Sequence, residues 1–240
     1  VTGILDALRA EKEVRVNEEL AGVYEKWCSD HPFDKGKGWG QEPWSQEEMP
    51  LEEETAARAA QVSDVALVII GRTAGEDQDT KAEPGSYLLT DKEEQLIRTV
   101  SRHFARTAVL LNVGNIIDMK WVESCDPSAV LYVWQGGMEG GNGVADVLTG
   151  RVSPCGKLSD TIAASIEDYP STAGFGDKDR NIYAEDIYVG YRYFETAAKD
   201  KVLYPFGFGL SYTEFAIKTE TFLDEGDTVH LQVRVTNTGT

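Results

Sequence analysis

Three carboxylates lie in a short, glycine-punctuated segment that directly follows an apolar run. The segment is Gly71–Asp79, its carboxylates are Glu76, Asp77 and Asp79, and the run before it is Val65–Ile70. Such a run is typical of a buried parallel strand, and ligands gather at the carboxyl ends of these strands. One interpretation is that a carboxylate here exchanges a proton with a bound ligand. The other, favoured by spacing alone because short motifs often match by chance, is a solvated acidic loop.

The elements that would hold this segment in place form an alternating pattern. Uniformly apolar strands are predicted over 65–70, 108–113 and 129–134, with a polar edge strand over 157–162 and a short strand over 14–16. Helical spacing predicts helices over 2–11, 18–28, 51–62, 116–123 and 143–149, and a further helix that begins at a Thr90–Glu93 capping box. The predicted fold class is α/β, with a mostly parallel sheet flanked by helices on both faces, an α/β sandwich.

The hydrophobic pattern of the sequence changes near its end. Residues 215–222 and 228–237 alternate with a period of two around a turn at Glu225–Asp227, which predicts two half-buried antiparallel strands. Two strands cannot close a sandwich, and an isolated hairpin is marginal in water. We therefore expect one α/β domain over residues 1–210 and the first strands of a truncated β-sandwich over residues 211–240.

The charge balance restricts the possible partners. The chain has 240 residues, with 41 acidic against 23 basic side chains and a formal charge of −18. A surface of this sign repels nucleic acid and anionic membranes, so neither is an expected partner. The acidic runs Glu47–Glu48 and Glu52–Glu54 are more simply solvated helix faces than a binding device.

The cysteines and apolar runs exclude further classes of protein. Cys28, Cys125 and Cys155 are far apart and form no CxxC pair, which argues against a disulfide scaffold and a zinc site. No run of eighteen apolar residues is present and the first residues do not form a signal peptide, so no membrane span is expected. Separate thiols are typical of a reducing compartment, and a cytoplasmic location is expected.

Other reactive motifs are weak. There is no GxSxG sequence, and the glycine-rich segment Gly136–Gly143 matches neither common nucleotide-binding pattern, so it is more simply a turn in which the backbone approaches a ligand closely. Residues 29–50 form a long excursion that is rich in glycine, proline and tryptophan. Long excursions in compact domains are often functional, and this one carries Trp39 and Trp44.

Seven segments together resemble glycoside hydrolase family 3 β-glucosidases, in register over nearly the whole chain. They are Gly75–Asp79, Gly85–Leu89, Val109–Gly114, Trp134–Gly141, Gly150–Leu158, Tyr183–Tyr193 and Pro205–Thr213. The resemblance implies an α/β-sandwich domain followed by the start of a fibronectin-type-III-like domain. It also implies a nucleophilic aspartate on a separate barrel domain, before or after this segment, which the present sequence does not contain.

The resemblance further implies that Glu76 is the general acid/base. A retaining glycosidase needs a second carboxylate about 5–5.5 Å from the nucleophile, and like charges from Asp77, Asp79 and that nucleophile would raise the pKa of such an acid. Two positions depart from the family pattern: Asp77 replaces a glycine, and Thr80 replaces an arginine. The loss of that cation puts the pairing of Asp79 in doubt, and a structural role is expected for Asp79.

The resulting functional hypothesis is a fragment of a retaining, exo-acting β-glucosidase that acts on terminal β-glucosides and needs no cofactor or metal. Weaker candidates for substrate contact are Glu139, in another loop after a strand, and Trp39 and Trp44, which could stack on a sugar or simply pack against the domain. A non-catalytic sugar-binding or interdomain module, a β-xylosidase and an arabinosidase remain alternatives. Because one carboxylate cannot perform a double displacement, the isolated fragment is predicted to be inactive.

Overall fold

The computed structural model describes residues 1–73 and 78–239. The helices are α1 (Ile4–Ala10), α2 (Glu18–Asp30), α3 (Glu53–Ala60), α4 (Asp91–His103), α5 (Trp121–Cys125), α6 (Gly140–Leu148) and α7 (Tyr191–Ala197). The strands are β1 (Ala66–Gly71), β2 (Thr107–Asn112), β3 (Ala129–Tyr132), β4 (Ile162–Ala163), β5 (Val202–Tyr204), β6 (Phe215–Asp224) and β7 (Val229–Asn237). Single 3-10 turns lie at Ile166–Asp168, Pro170–Gly174 and Lys199–Lys201.

The central feature is a parallel sheet in the order β1-β2-β3. Its register aligns Ile69 with Leu110 and Leu110 with Leu131, so the carboxyl ends of the three strands lie at one edge. Helices flank this sheet, and antiparallel strands follow it in the chain. The predicted α/β fold class, with its parallel sheet followed by the first strands of a β-structure, is confirmed.

The main core forms where α4 and α5 pack on one face of the sheet. Alternate strand residues, including Ile70, Val109 and Leu111, join Ile97 of α4 and Trp121 of α5 in one buried cluster. The predicted capping box begins α4: the Thr90 hydroxyl accepts from the Glu93 amide, and the Glu93 carboxylate accepts from the Thr90 amide. The cap fixes the start of the helix, and its apolar face then reaches the sheet.

A second, smaller cluster joins α1 to α6. Ala7 and Leu8 of α1 pack against Ala145 of α6, with Val14 and Val16 beside them. The predicted short strand over 14–16 is wrong, because this segment is not a strand in the structure. Its two valines are covered by helices, and the alternation reflects that packing rather than pairing with a neighbouring strand.

The predicted edge strand over 157–162 is also largely wrong. Only Ile162–Ala163 is a strand, and it pairs antiparallel with β5 in a separate two-stranded sheet. The reason lies at Leu158, whose amide donates to the carbonyl of Phe208 and whose carbonyl accepts from the amide of Gly207. This segment therefore bonds to a later loop instead of the parallel sheet.

The last two strands form an antiparallel hairpin, as the period of two predicts. β6 pairs with β7 with one irregularity near Thr219, and Gly226 in the turn has a φ of +88°. The predicted half-burial is wrong for this chain: all residues of both strands are exposed, so neither face of the hairpin is covered. None of the helices in the described part of the chain has the length and apolar composition that crossing a bilayer requires.

Candidate functional site

The candidate site lies at the carboxyl edge of the sheet, where the segments after β1, β2 and β3 meet. Glu76 and Asp77, the sequence-based candidates for proton transfer and its tuning, lie outside the described residues. Asp79 is described and is exposed. The structure therefore defines what holds the two ends of the acidic segment, from Arg72 and Thr73 on one side and from Gln78 on the other.

A buried ion pair fixes the start of the acidic segment. The Arg72 guanidinium meets the Glu93 carboxylate at two points, with Nη1–Oε1 at 2.6 Å and Nη2–Oε2 at 3.0 Å. The two side chains are only 3% and 5% exposed. The guanidinium also donates to the carbonyls of Gly71, Ser86 and Leu88. Because nearly every polar atom of the pair has a partner, the buried charges are tolerated and the backbone at Arg72 is held firmly.

Sequence reasoning missed this pair, although it recognised one half of it. Glu93 was identified only as a capping residue, and its carboxylate does accept from the Thr90 amide at 2.8 Å. The available signal was an arginine directly after a buried strand, where an unpaired cation would be costly. Such an arginine requires an acidic partner, and the acidic residue of a nearby cap can provide it.

The long excursion over 29–50 touches both ends of the acidic segment. Thr73 donates from its amide to the Trp44 carbonyl at 2.9 Å and from its hydroxyl to the Pro43 carbonyl at 2.8 Å. Gln78 donates from Nε2 to the Glu42 carbonyl at 2.8 Å. A stretch of the excursion is thus the immediate neighbour of the acidic segment.

The loop after β2 is tied to the same region. The Asn115 side-chain amide donates to the Thr80 hydroxyl at 2.9 Å. The carbonyl of Asn115 accepts from the Tyr132 hydroxyl at 3.1 Å, and that hydroxyl also accepts from the Ile117 amide at 3.0 Å. Position 80, where the resembled family has an arginine, therefore links the acidic segment to the next loop through a neutral hydrogen bond.

The loop after β3 carries a strained residue that sequence reasoning did not single out. Trp134 has a φ of +58°, an uncommon conformation for a bulky side chain. Its ring lies against Tyr132, with centroids 4.4 Å apart. Outliers of this kind cluster at binding and catalytic sites, and this one is at the edge where ligands bind in open α/β sheets.

The weaker sequence candidates occupy different surroundings. Glu139 is exposed at the N-cap of α6, where its carboxylate accepts from the Asn142 side chain. Trp39 is 70% exposed, whereas Trp44 is partly buried and contacts the acidic segment through its backbone carbonyl. Among the described residues, the hydrogen bonds of Thr73 and Gln78 go to residues 42–44, and that of the Glu139 carboxylate goes to Asn142.

Burial raises the pKa values of several ionisable groups near this edge of the sheet. Desolvation, and then repulsion from Glu93, raises the pKa of the Glu48 carboxyl to about 7. Desolvation also raises the pKa values of the Tyr87 and Tyr132 hydroxyls and of the Asp118 carboxyl. Within the described ranges, no group of three or more His, Cys, Asp or Glu side chains could hold a metal ion.

Comparison with known proteins gives a consistent result. The family model for the glycosyl hydrolase family 3 C-terminal domain matches residues 2–212. A β-glucosidase from Ruminococcus albus is 55% identical over 239 residues, which cover all of this chain and 25% of that protein. β-Glucosidase A from Butyrivibrio fibrisolvens is 41% identical over 268 residues, which cover 95% of this chain and 32% of that protein.

Solved structures agree with the sequence relatives. The crystal structure of a β-glucosidase from Paenibacillus barengoltzii has a TM-score of 0.95 and 56% identity, and the match covers the whole of this chain and 27% of that one. β-Glucosidase 3B from Thermotoga neapolitana in complex with glucose has a TM-score of 0.87 and 36% identity, over all of this chain and 34% of that one. The chain spans about a quarter to a third of these relatives. By family model, by identity and by fold, it belongs to the glycosyl hydrolase family 3 C-terminal domain family.

Proposed function

We propose that this chain supplies the general acid/base of a retaining, exo-acting β-glucosidase, and that Glu76 is that residue. The observation that carries the proposal is the 55% identity to a β-glucosidase over the whole chain. In the sequence, Glu76 follows the last residue of β1, Gly71, by five positions, and α/β proteins bind ligands beyond the carboxyl ends of such strands. A complex of the Thermotoga neapolitana relative with glucose supports a glucoside as the substrate.

The reaction needs two carboxylates with different tasks. A nucleophile, proposed to lie on a barrel domain of the same full-length chain, attacks the anomeric carbon of a terminal β-glucoside. Glu76 gives its proton to the leaving oxygen, and a glycosyl-enzyme forms. Glu76 then takes a proton from water, which attacks the glycosyl-enzyme and releases the sugar with retained configuration.

We further propose that the chain contains two units, an α/β domain over residues 1–210 and the start of a fibronectin-type-III-like domain over residues 211–240. The family model ends its match at residue 212, close to this boundary. The hairpin that follows has exposed apolar side chains on both strands. Such a hairpin needs further strands to become stable, which supports a sandwich built on it.

The acid/base role is tested in the full-length enzyme. Glu76→Ala should lower kcat for an aryl β-glucoside by about 100-fold or more, because the proton donor and the later base are both removed. Added azide should restore part of the rate and release β-glucosyl azide, since azide attacks the glycosyl-enzyme without a base. The matched control is Glu83→Ala, which removes an exposed carboxylate that lies four residues after the end of the acidic segment.

Three results would reject parts of this proposal. Full activity of Glu76→Ala would exclude Glu76 as the acid/base and favour a non-catalytic sugar-binding or interdomain module. Hydrolysis of an aryl xyloside or arabinoside in preference to the glucoside would change the substrate. The 240-residue chain alone should not turn over, because it lacks the nucleophile, so turnover by the purified chain that is lost in Glu76→Ala would disprove the division of the site between domains.

A further inference from the structure

Thr73 is bonded to the long excursion at three points. Its amide donates to the Trp44 carbonyl at 2.9 Å. Its hydroxyl lies 2.8 Å from the Pro43 carbonyl and 3.2 Å from the Trp44 carbonyl. The side chain is partly buried, so these bonds are shielded from competing water. The backbone is therefore fixed three positions before Glu76.

Gln78 makes the corresponding contact two positions after Glu76. Its side-chain amide donates to the Glu42 carbonyl at 2.8 Å, and the residue is partly buried. Both ends of the segment that contains Glu76 are thus bonded to the carbonyls of Glu42, Pro43 and Trp44. These three consecutive carbonyls are called the clamp below.

The clamp is itself anchored on both sides. Asp34, which precedes the clamp in the chain, bonds through its backbone to Gln46, which follows it: the Asp34 amide donates to Gln46 Oε1 at 2.7 Å, and Gln46 Nε2 donates to the Asp34 carbonyl at 3.3 Å, which closes the excursion into a loop. After the clamp, Ser45 lies so close to Gly85 that a Cβ there would be 2.5 Å from the serine oxygen. Glu47 then pairs with Lys92 at 2.8 Å on α4. The clamp therefore connects the acidic segment to a capped helix of the core.

We propose that Thr73 and Gln78 are positioning residues for the proton transfer assigned to Glu76: their bonds to the clamp fix the chain at residues 73 and 78, so that the excursion over 29–50 contributes to the rate of that step. This inference rests on the proposed acid/base role of Glu76. Neither side chain has an acidic or basic group, so neither exchanges the proton itself. A displacement of about 1 Å in a reacting group can lower the rate by about 100-fold. The bonds that anchor this segment should therefore affect the rate of proton transfer.

The test compares two substrates in the full-length enzyme that differ only in the leaving group. Cleavage of phenyl β-glucoside needs a proton on the departing oxygen, whereas dinitrophenyl β-glucoside departs without one. Thr73→Val and Gln78→Met keep the size of each side chain and remove its bond to the clamp. Each should lower kcat/KM for the phenyl substrate by about tenfold or more, and for the dinitrophenyl substrate by less than about threefold.

Two control variants distinguish a loss of positioning from a general loss of stability or activity. Thr73→Ser keeps the hydroxyl and should retain the wild-type ratio of the two kcat/KM values. Thr213→Val makes the same chemical change where the hydroxyl bonds to Asn237 at 2.6 Å beside the hairpin, and it should also leave the ratio unchanged. If Thr73→Val does not accumulate as folded protein, Gln78→Met alone decides.

Equal losses for both substrates, or no loss, in the folded variants would overturn the inference. Glu76→Ala in the same assay shows which proposal has failed. If Glu76→Ala loses activity selectively for the phenyl substrate and the Thr73 and Gln78 variants do not, only the positioning role is excluded. If Glu76→Ala shows no selective loss, the acid/base assignment fails as well.

Discussion

At the residue scale, the carboxylate of Glu93 makes two structural interactions. Glu93 caps α4 and neutralises Arg72, and both side chains are buried. A buried pair of this kind adds little over an apolar substitute, but the loss of either partner leaves a charge without compensation and costs about 3–5 kcal/mol. The pair therefore requires that the strand end at Arg72 and the helix start at Glu93 remain together, and this couples the acidic segment to the core.

The negative charge of Glu93 also affects Glu48. Burial and this charge raise the pKa of the Glu48 carboxyl from 4.5 to about 7. The folded chain thus keeps a proton that the unfolded chain has released, so the contribution of Glu48 to the free energy of unfolding falls as pH rises from 4.5 to about 7 and does not change further above that. Glu48→Gln removes this titration. We expect it to raise the free energy of unfolding by about 1–2 kcal/mol near pH 8, a value reduced for the partial exposure of the side chain, and to have little effect near pH 4.5.

Urea unfolding of the wild type and Glu48→Gln across this pH range measures the effect. Glu47→Gln is the matched control: its exposed carboxylate accepts from Lys92, which lowers the pKa of Glu47. The stability due to Glu47 is therefore present above its ordinary pKa and lost as pH falls, so Glu47→Gln should be destabilising near neutral pH. A pH profile of Glu48→Gln parallel to that of the wild type would show that Glu48 is solvated.

At the element scale, the contact between α1 and α6 depends on one glycine. The amide of Gly141 donates to the Thr2 carbonyl at 3.2 Å, and the Thr2 amide donates to the Met138 carbonyl at 2.8 Å. A Cβ atom at position 141 would lie 2.3 Å from the carbonyl oxygen of Gly3 and 2.6 Å from that of Thr2. Close backbone approach, rather than an unusual φ, is therefore what this position requires.

Gly141→Ala should destabilise the chain, because the added methyl group meets backbone atoms that cannot move without separating α1 from α6. The expected loss is about 1–3 kcal/mol in the free energy of unfolding. Gly143→Ala is the control on the same helix, since a Cβ there would meet nothing within 4 Å. The control should stabilise by about 0.5–1 kcal/mol through helix propensity, and a gain for both variants in thermal unfolding would contradict the close contact.

These elements also show how far the sequence could predict the structure. The apolar runs 65–70 and 108–113 and the Thr90 capping box are local signals, and each corresponds to an observed element. The segments 14–16 and 157–162 were misassigned because each packs or bonds with a part that is distant in the chain. The first joins the cluster that contains Ala145 of α6, and the second bonds to the loop near Phe208.

The same difference between local and distant contacts applies to the candidate site. The glycine-punctuated acidic segment that follows an apolar run is a local sequence signal, and it indicates Glu76 as a candidate. The Arg72–Glu93 pair and the clamp join positions about 20 to 36 residues apart. The hydrophobic periodicity of the sequence does not predict such pairings, because only the folded chain brings these residues together.

At the scale of the whole molecule, a strongly acidic chain presents an uncovered apolar surface. The register of the hairpin pairs Ile217 with Val235 and Phe222 with Leu231, which places these four side chains on one face. All four are exposed, and Ile217 is 72% exposed. A contiguous apolar face of this kind marks an interaction site, and in the proposed function further strands of a β-sandwich cover it.

The expected effect of Ile217→Lys on stability therefore differs between the 240-residue chain and the full-length enzyme. In the 240-residue chain the face is open, so the substitution should leave the free energy of unfolding unchanged and reduce self-association in sedimentation velocity. In the full-length enzyme the lysine would be buried between sheets and should cost about 2 kcal/mol or more. Ala216→Lys, on the opposite face of the same strand, is the control and should be neutral in both. A full-length enzyme that tolerates Ile217→Lys as well as Ala216→Lys would disprove the sandwich, because a charge that costs nothing on that face is still in water.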